Sequence, residues 1–140
     1  QRTPMQWEPV TNGGFTSGNP WLPLGDNLKE INVLSQMNDP NSLLSFYKKL
    51  IALRQKEPAL YMGDYFPAGI KDQLICYKRK YKNSEFLICL NLGKESISYN
   101  FDFKWQGKIL VATNAEKEGK LLKDKIAIDG CEGYVLKITV

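Results

Sequence analysis

The chain contains no histidine in its 140 residues. That excludes Ser-His-Asp and Cys-His nucleophiles, an imidazole acid or base, and any histidine-bound metal, so chemistry carried by these residues would rest on carboxylates, lysines or tyrosines. Cysteine is scarce as well. Cys76, Cys89 and Cys131 are an odd number without the close spacing of a zinc site, and they read as buried free thiols. Cys76 and Cys89 fall in candidate neighbouring strands, which leaves a disulfide in an oxidising compartment as the alternative. No apolar run approaches the roughly 18 residues that a membrane helix needs, so no membrane association is expected. No N-x-S/T sequon is present, which disfavours a glycosylated secreted protein. The net charge of +4 comes from scattered Lys and Arg with only short clusters such as Lys78-Arg79-Lys80. No sustained basic block lies ready for a phosphate backbone, and no nucleic-acid partner is expected.

What the chain does have is the balance of an ordinary globular protein: 43% apolar and 24% charged residues, enough to bury a core in one domain. Residues 1–38 carry Pro4, Pro9, Pro20 and Pro23 together with Gly13, Gly14, Gly18 and Gly25, and sustain no apolar period, so this stretch reads as irregular. It also carries Met5, Trp7, Phe15, Trp21, Leu22, Ile31 and Val33, more apolar bulk than a disordered linker holds, and so requires a surface to lie on. Asp39-Pro40 predicts a helix start, with Asp39 as cap and Pro40 in the first turn. Leu43, Leu44, Tyr47, Leu50 and Ile51 then follow at helical spacing until Lys56-Glu57-Pro58, which places a helix over 40–56.

From Gly63 the period becomes two. Strands are predicted at 64–66, 74–81, 86–92, 96–101, 108–113, 125–128 and 133–140, with a hairpin turn at 82–84 and an exposed loop at 116–120. Leu87-Ile88-Cys89-Leu90 is apolar without alternation, as in a central strand buried on both faces. The fold class expected is mainly β: a C-terminal antiparallel β-sandwich preceded by one long α-helix and an irregular N-terminal segment.

Arg2-Thr3-Pro4-Met5-Gln6-Trp7, followed in order by Gly13-Gly14-Phe15-Thr16, Pro20-Trp21-Leu22-Pro23 and Glu30-Ile31-Asn32-Val33, resembles the stretch closing the catalytic barrel of family 13 glycoside hydrolases, the α-amylase superfamily, in its α-glucosidase and oligo-1,6-glucosidase branch. Leu50-Ile51-Ala52-Leu53-Arg54 supports the resemblance. Relatives usually have Asp where this chain has Glu8, and Ala-Gly-Phe where it has Gly13-Gly14-Phe15, which blurs the subfamily. The resemblance implies that residues 1–60 are the end of a (β/α)8 barrel, its last βα loop and eighth helix, and that 61–140 are the C-terminal sandwich. Gln1 opens the chain without an initiator Met or leader and the motif begins at once, so the chain is read as a C-terminal fragment.

Members of that family cleave α-glucosidic bonds with retention, using an Asp nucleophile and a Glu acid/base about 5–5.5 Å apart. Both carboxylates, and a second Asp that holds sugar hydroxyls, would lie upstream of Gln1, so no catalytic residue is expected within the chain. Barrel enzymes build their sites from βα loops, and the resemblance makes Arg2 the one substrate-binding residue, a contact for the non-reducing glucose. Met5, Gln6 and Trp7 are read as packing beneath the barrel. The expected function is that of the C-terminal part of an α-glucosidase acting on α-linked gluco-oligosaccharides through the absent barrel, inactive alone, cytoplasmic, and using no cofactor or metal. A secreted protein, part of a non-catalytic amino-acid transporter heavy chain, and a sugar-binding module are the alternatives. In the last, Trp105 and Tyr134 would stack a sugar; the reading preferred for both is a half-buried core or edge residue. Asp26, Glu30 and Asp39 are read as cap and loop residues rather than a Ca²⁺ site. Without the barrel, the apolar side of 40–56 and the aromatics of 5–22 are expected to fold back onto the sandwich or to self-associate.

Overall fold

A strand that is apolar on both faces needs two covers, and residues 84–91 are such a strand. The computed structural model describes residues 2–139, and the chain divides into two compact units, Gln1–Lys49 and Leu50–Val140. In the second unit, eight antiparallel strands run in chain order: β1 Asp64–Lys71, β2 Leu74–Tyr81, β3 Ser84–Asn91, β4 Ile97–Asn100, β5 Gln106–Ala112, β6 Leu121–Lys123, β7 Lys125–Ile128 and β8 Gly133–Ile138. Six of them form one sheet in the order β1-β2-β3-β8-β5-β6, and β4 pairs with β7 in a separate two-stranded ribbon. The mainly β, sandwich-type architecture read from the sequence is therefore the observed one.

Cover for β3 comes from two directions. Leu87 and Cys89 point into a core built with Leu74, Cys76, Tyr134 and Leu136, closed by Ile126 and Ile128 of β7 and by Ile97 and Tyr99 of β4. Phe86 and Ile88 point the other way, against Ala59, with Leu60, Leu110 and Val135 around them. Alternate residues of one strand thus feed both cores, the geometry that a two-residue side-chain period dictates. Along the first core the Phe101 ring is the hub of an aromatic cluster, with Tyr99, Phe103 and Trp105 at 4.9, 5.2 and 5.4 Å from it, centroid to centroid.

Three polar devices hold the loops. Asn91, buried at the end of β3, donates through Nδ2 to the carbonyls of Glu95 and Asp129 at 2.8 and 3.0 Å, and its Oδ1 accepts from the Gly93 amide. Asp124 accepts from the Trp105 amide at 2.9 Å while its own amide donates back to the Trp105 carbonyl. Lys117 reaches Asp129 and Glu132 at 2.6 and 2.7 Å, with Tyr134 and Ser96 donating to the same two carboxylates.

Several predicted boundaries move. The edge strand β1 continues through Pro67 to Lys71, because an edge tolerates a missing amide and the register slips between Pro67 and Gly69 in a bulge. β6 has no counterpart among the predicted strands: its three residues are too short for a period to be visible. The long helix, α2, runs Leu43–Lys56 rather than from 40. Its cap is Ser42, whose Oγ accepts from the Ser45 amide at 3.1 Å, while Asp39 is occupied by a tighter local turn, accepting from the Asn41 amide at 2.8 Å. A further helix, α1, spans Val33–Met37 within the stretch read as irregular.

The Lys117 network predicts a defined pH response. The Lys117 ammonium, with Ser96, holds the Asp129 carboxyl below the ordinary range. Burial works to raise Glu132, but hydrogen bonds from Lys117 and Tyr134 outweigh it and hold Glu132 low as well. Groups depressed in the folded state contribute stability that is fully present above the unfolded value of about 4, and that is lost as pH falls through the folded values. Denaturant titrations from neutral pH to pH 2 should show a shallower acid loss for Lys117→Met than for the parent chain; equal slopes would show that the network contributes nothing.

Candidate functional site

Arg2 and the motif that follows it lie in the first unit, where hydrogen bonds rather than apolar burial determine the shape. Of the described residues 2–49, the buried ones are Pro4, Gly13, Asn32 and Ser42, none of them a large apolar side chain, and both apolar cores lie entirely after residue 58. Residues 6 and 7 dock on the start of α1 through their carbonyls: Gln6 accepts from the Val33 amide at 2.9 Å and Trp7 from the Leu34 amide at 3.0 Å. The Gln6 side chain adds a second tie, with Nε2 donating to Asn27 Oδ1 at 3.2 Å and to the Ile31 carbonyl.

The chain turns back on itself at Asn12, Gly13 and Gly14, three consecutive residues in the left-handed region at φ 57°, 66° and 67°. This reversal aims the Gly13 carbonyl at the amides of Trp7 and Glu8, at 2.8 and 3.1 Å. Asn12 fits the turn because its amide group bonds locally, donating to the Gly18 carbonyl at 2.7 Å. The start of α1 is closed by a reciprocal box: Asn32 Oδ1 accepts from the Ser35 amide at 2.9 Å and Ser35 Oγ accepts from the Asn32 amide at 3.2 Å. Asn32 Nδ2 also donates to the Leu28 carbonyl, which explains how a buried amide is satisfied here. Gln36 then links α1 to α2, its Oε1 accepting from the Leu44 amide and its carbonyl from Ser42 Oγ.

Between these segments lies an open groove of about 450 Å³ lined by Thr3, Gln6, Asn27, Asn32, Val33 and Gln36 among others. Its polar groups are amides and a hydroxyl, which hydrogen-bond but do not exchange protons near neutral pH. A neighbouring groove of about 420 Å³ has Glu30 and Asp39 in its wall, both exposed, and Asp39 already accepts a backbone amide. Neither groove brings together an enclosed acid and base. Among the described residues no three or more Asp, Glu or Cys are grouped to hold a metal ion, and no helix is long and apolar enough to cross a membrane.

Arg2 is exposed at the start of the motif and is not part of either groove wall. Met5 and Trp7 are half exposed, and Trp21 keeps 86% of its surface. Trp105 and Tyr134 retain only 5% and 1% of theirs, so neither presents a ring face to a sugar. The preferred core reading holds for both. Sequence reasoning missed the structural role of the polar residues that build the unit: Asn27, Asn32, Ser35, Gln36 and Ser42. Their signal was available in the cap spacing of Asn32 with Ser35 and Ser42 with Ser45, which an eye set on apolar periodicity overlooks.

Comparison with known proteins places this arrangement. The structure superposes on trehalulose synthase from Pseudomonas mesoacidophila with a TM-score of 0.89 at 28% identity, covering 99% of this chain and 25% of that one. The chain thus shares the fold of a quarter of that enzyme. The family model for the α-amylase catalytic domain matches residues 1–63. Trehalose-6-phosphate hydrolase of Escherichia coli is 43% identical over 95 residues, 67% of this chain and 17% of that protein. Oligo-1,6-glucosidase of Parageobacillus thermoglucosidasius is 41% identical over 96 residues, again 17% of its own length. The chain belongs to the α-amylase family of glycoside hydrolases, and spans about a sixth of the length of these relatives.

The left-handed turn generates a test. A Cβ on Gly13 would sit 3.2 Å from Leu28 Cδ1 and in a backbone region unfavourable to it. Gly13→Ala is expected to destabilise the first unit by about 1–2 kcal/mol, seen as faster hydrogen exchange at the Trp7, Val33 and Leu34 amides with β3 unchanged. Unaltered exchange at those amides would show that the turn does not hold the motif.

Proposed function

We propose that the chain is the closing part of a retaining α-glucosidase that acts on short α-linked gluco-oligosaccharides, and that it is catalytically silent by itself. The observation that carries this reading is where the apolar surface is left open. Met5, Trp7, Phe15, Trp21, Leu43, Tyr47 and Ile51 are all exposed, and all lie within the span that matches the catalytic-domain model. An apolar surface of that kind on a segment without a core is built to be covered. Residues 1–60 are then the last βα loop and eighth helix of a barrel, and 61–140 the sandwich that follows it. Relatives named oligo-1,6-glucosidase and trehalose-6-phosphate hydrolase support the substrate class.

Retention requires a nucleophilic carboxylate and an acid/base carboxyl about 5–5.5 Å apart on either side of the glycosidic carbon. The described residues hold no such enclosed pair, so both groups are assigned to the rest of the barrel. Arg2 has the chemistry of a positioning contact: a permanently charged planar fork that spans a carboxylate and a sugar hydroxyl at once.

Two measurements test the reading. The 140-residue chain should not hydrolyse maltose, isomaltose or an aryl α-glucoside; turnover abolished by a substitution within residues 2–139 would refute it. In the full-length protein, Arg2→Ala should lower kcat/KM by roughly 10- to 100-fold, about 1.4–2.8 kcal/mol of transition-state stabilisation. Its unfolding midpoint should not move, since the side chain is exposed, and Arg2→Lys should recover little because a point charge does not replace a fork. Unchanged kinetics in Arg2→Ala would remove Arg2 from the site.

A further inference from the structure

The hairpin of β2 and β3 places two thiols face to face. Its loop is Lys82-Asn83, with Lys82 at φ 52°, and Tyr81 pairs with Ser84 across it. In a two-residue hairpin that closing pair is the hydrogen-bonded one, and pairs alternate from there. Counting back five positions, Cys76 and Cys89 oppose each other at a non-hydrogen-bonded pair. At such a pair the Cα atoms stand about 4.5 Å apart, within the roughly 4.4–6.8 Å that a disulfide spans. Both side chains enter the same core beside Leu74, Leu87 and Tyr134, with 1% and 0% of their surface exposed, and both are free thiols. Cys131, the third, is exposed in the turn before β8 and its Sγ approaches the Gly93 carbonyl at 3.5 Å.

We infer that Cys76 and Cys89 form a cross-strand disulfide site: a dithiol that closes when the chain folds in the presence of a small-molecule disulfide, and that the finished sheet then shields. Either thiol, once deprotonated, attacks one sulfur of oxidised glutathione, giving a mixed disulfide and releasing one glutathione thiol. The opposing thiol, deprotonated in turn, then attacks that protein sulfur and expels the second glutathione. Two protein thiols lose their protons and two electrons, and one glutathione disulfide becomes two thiols. Access limits the step in the folded state: β8 pairs along β3, and β4 and β7 close the core, so exchange proceeds before they are in place. The inference is independent of the glycosidase reading and concerns the sandwich alone.

The test uses the 140-residue chain carrying Cys131→Ser, an exposed position whose change leaves the core intact. The reduced chain is unfolded and refolded either in a reduced and oxidised glutathione mixture or in dithiothreitol. Oxidative refolding should leave no thiol open to alkylation in denaturant, reduce the mass by two hydrogens, and give one cross-linked peptide joining 74–81 to 84–91. Its unfolding midpoint should rise by roughly 5 °C or more over the dithiothreitol sample, and dithiothreitol should reduce the folded form at least tenfold more slowly than the unfolded form. Cys76→Ala in the same background should show none of these. Two alkylatable thiols after oxidative refolding with native circular dichroism, glutathione retained on both cysteines, or a bond that forms only with loss of the β signal would each overturn the inference.

Discussion

The sandwich depends on one strand being apolar on both faces. β3 puts Leu87 and Cys89 on one side of the sheet and Phe86 and Ile88 on the other, and all four are buried. A single sheet cannot satisfy that pattern, so the chain must supply material on both sides. It does so with the β4 and β7 ribbon on the first face and the Pro58–Leu60 turn on the second. Each fully buried Leu, Ile or Phe contributes about 1.5–3 kcal/mol relative to exposure, so the two cores outweigh any of the surface ion pairs, which are worth about 0–1 kcal/mol each. The polar staples at Asn91, Asp124 and Lys117 therefore act mainly on specificity. They fix which loop lies over which strand end, at the cost of being strongly destabilising if half-satisfied.

The first unit is organised on the opposite principle. With no large apolar side chain buried among its described residues, its form rests on amides and hydroxyls that satisfy one another and the backbone: Gln6 with Asn27 and Ile31, Asn32 with Ser35 and Leu28, Ser42 with Gln36. Such bonds contribute about 0.5–1.5 kcal/mol each when exchanged against water, too little to stabilise an isolated unit against the entropy of ordering almost fifty residues. The unit's apolar groups are instead turned outward, Trp21 most of all. Hydrogen bonds here select a shape whose stability has to come from elsewhere.

Legibility in the sequence divides along the same line. The strands 74–81 and 125–128 are seen at their observed bounds because a two-residue period is a direct image of one buried face. β3 was placed in the centre because its apolar run does not alternate. What failed was local competition between polar groups. Asp39-Pro40 carries every mark of a helix start, yet Ser42 caps the helix because the Asp39 carboxylate closes a turn on Asn41 first. The strand predicted at 64–66 runs on past Pro67, because at an edge the proline removes an amide that no neighbour requires. Of the candidate site, the position of Arg2 and the motif after it were visible. The amide lattice that shapes the motif was not, because no period marks it.

The same contrast explains why the motif-bearing first unit says more about kinship than all the strands of the second. A core position accepts any apolar side chain of suitable volume, so a β-sandwich pattern is shared by unrelated proteins. The motif around Gln6 works under tighter terms. Gln6 must offer an amide long enough to reach Asn27 and Ile31, Gly13 must hold a positive φ where an added Cβ would lie 3.2 Å from the Leu28 Cδ1 methyl, and Asn32 must donate and accept at once. Few other residues meet any one of those conditions, and fewer meet them in that order. Sequence specificity is highest where geometry, not hydrophobicity, sets the requirement, which is why the identity of this chain is written in the unit that contributes least to its core.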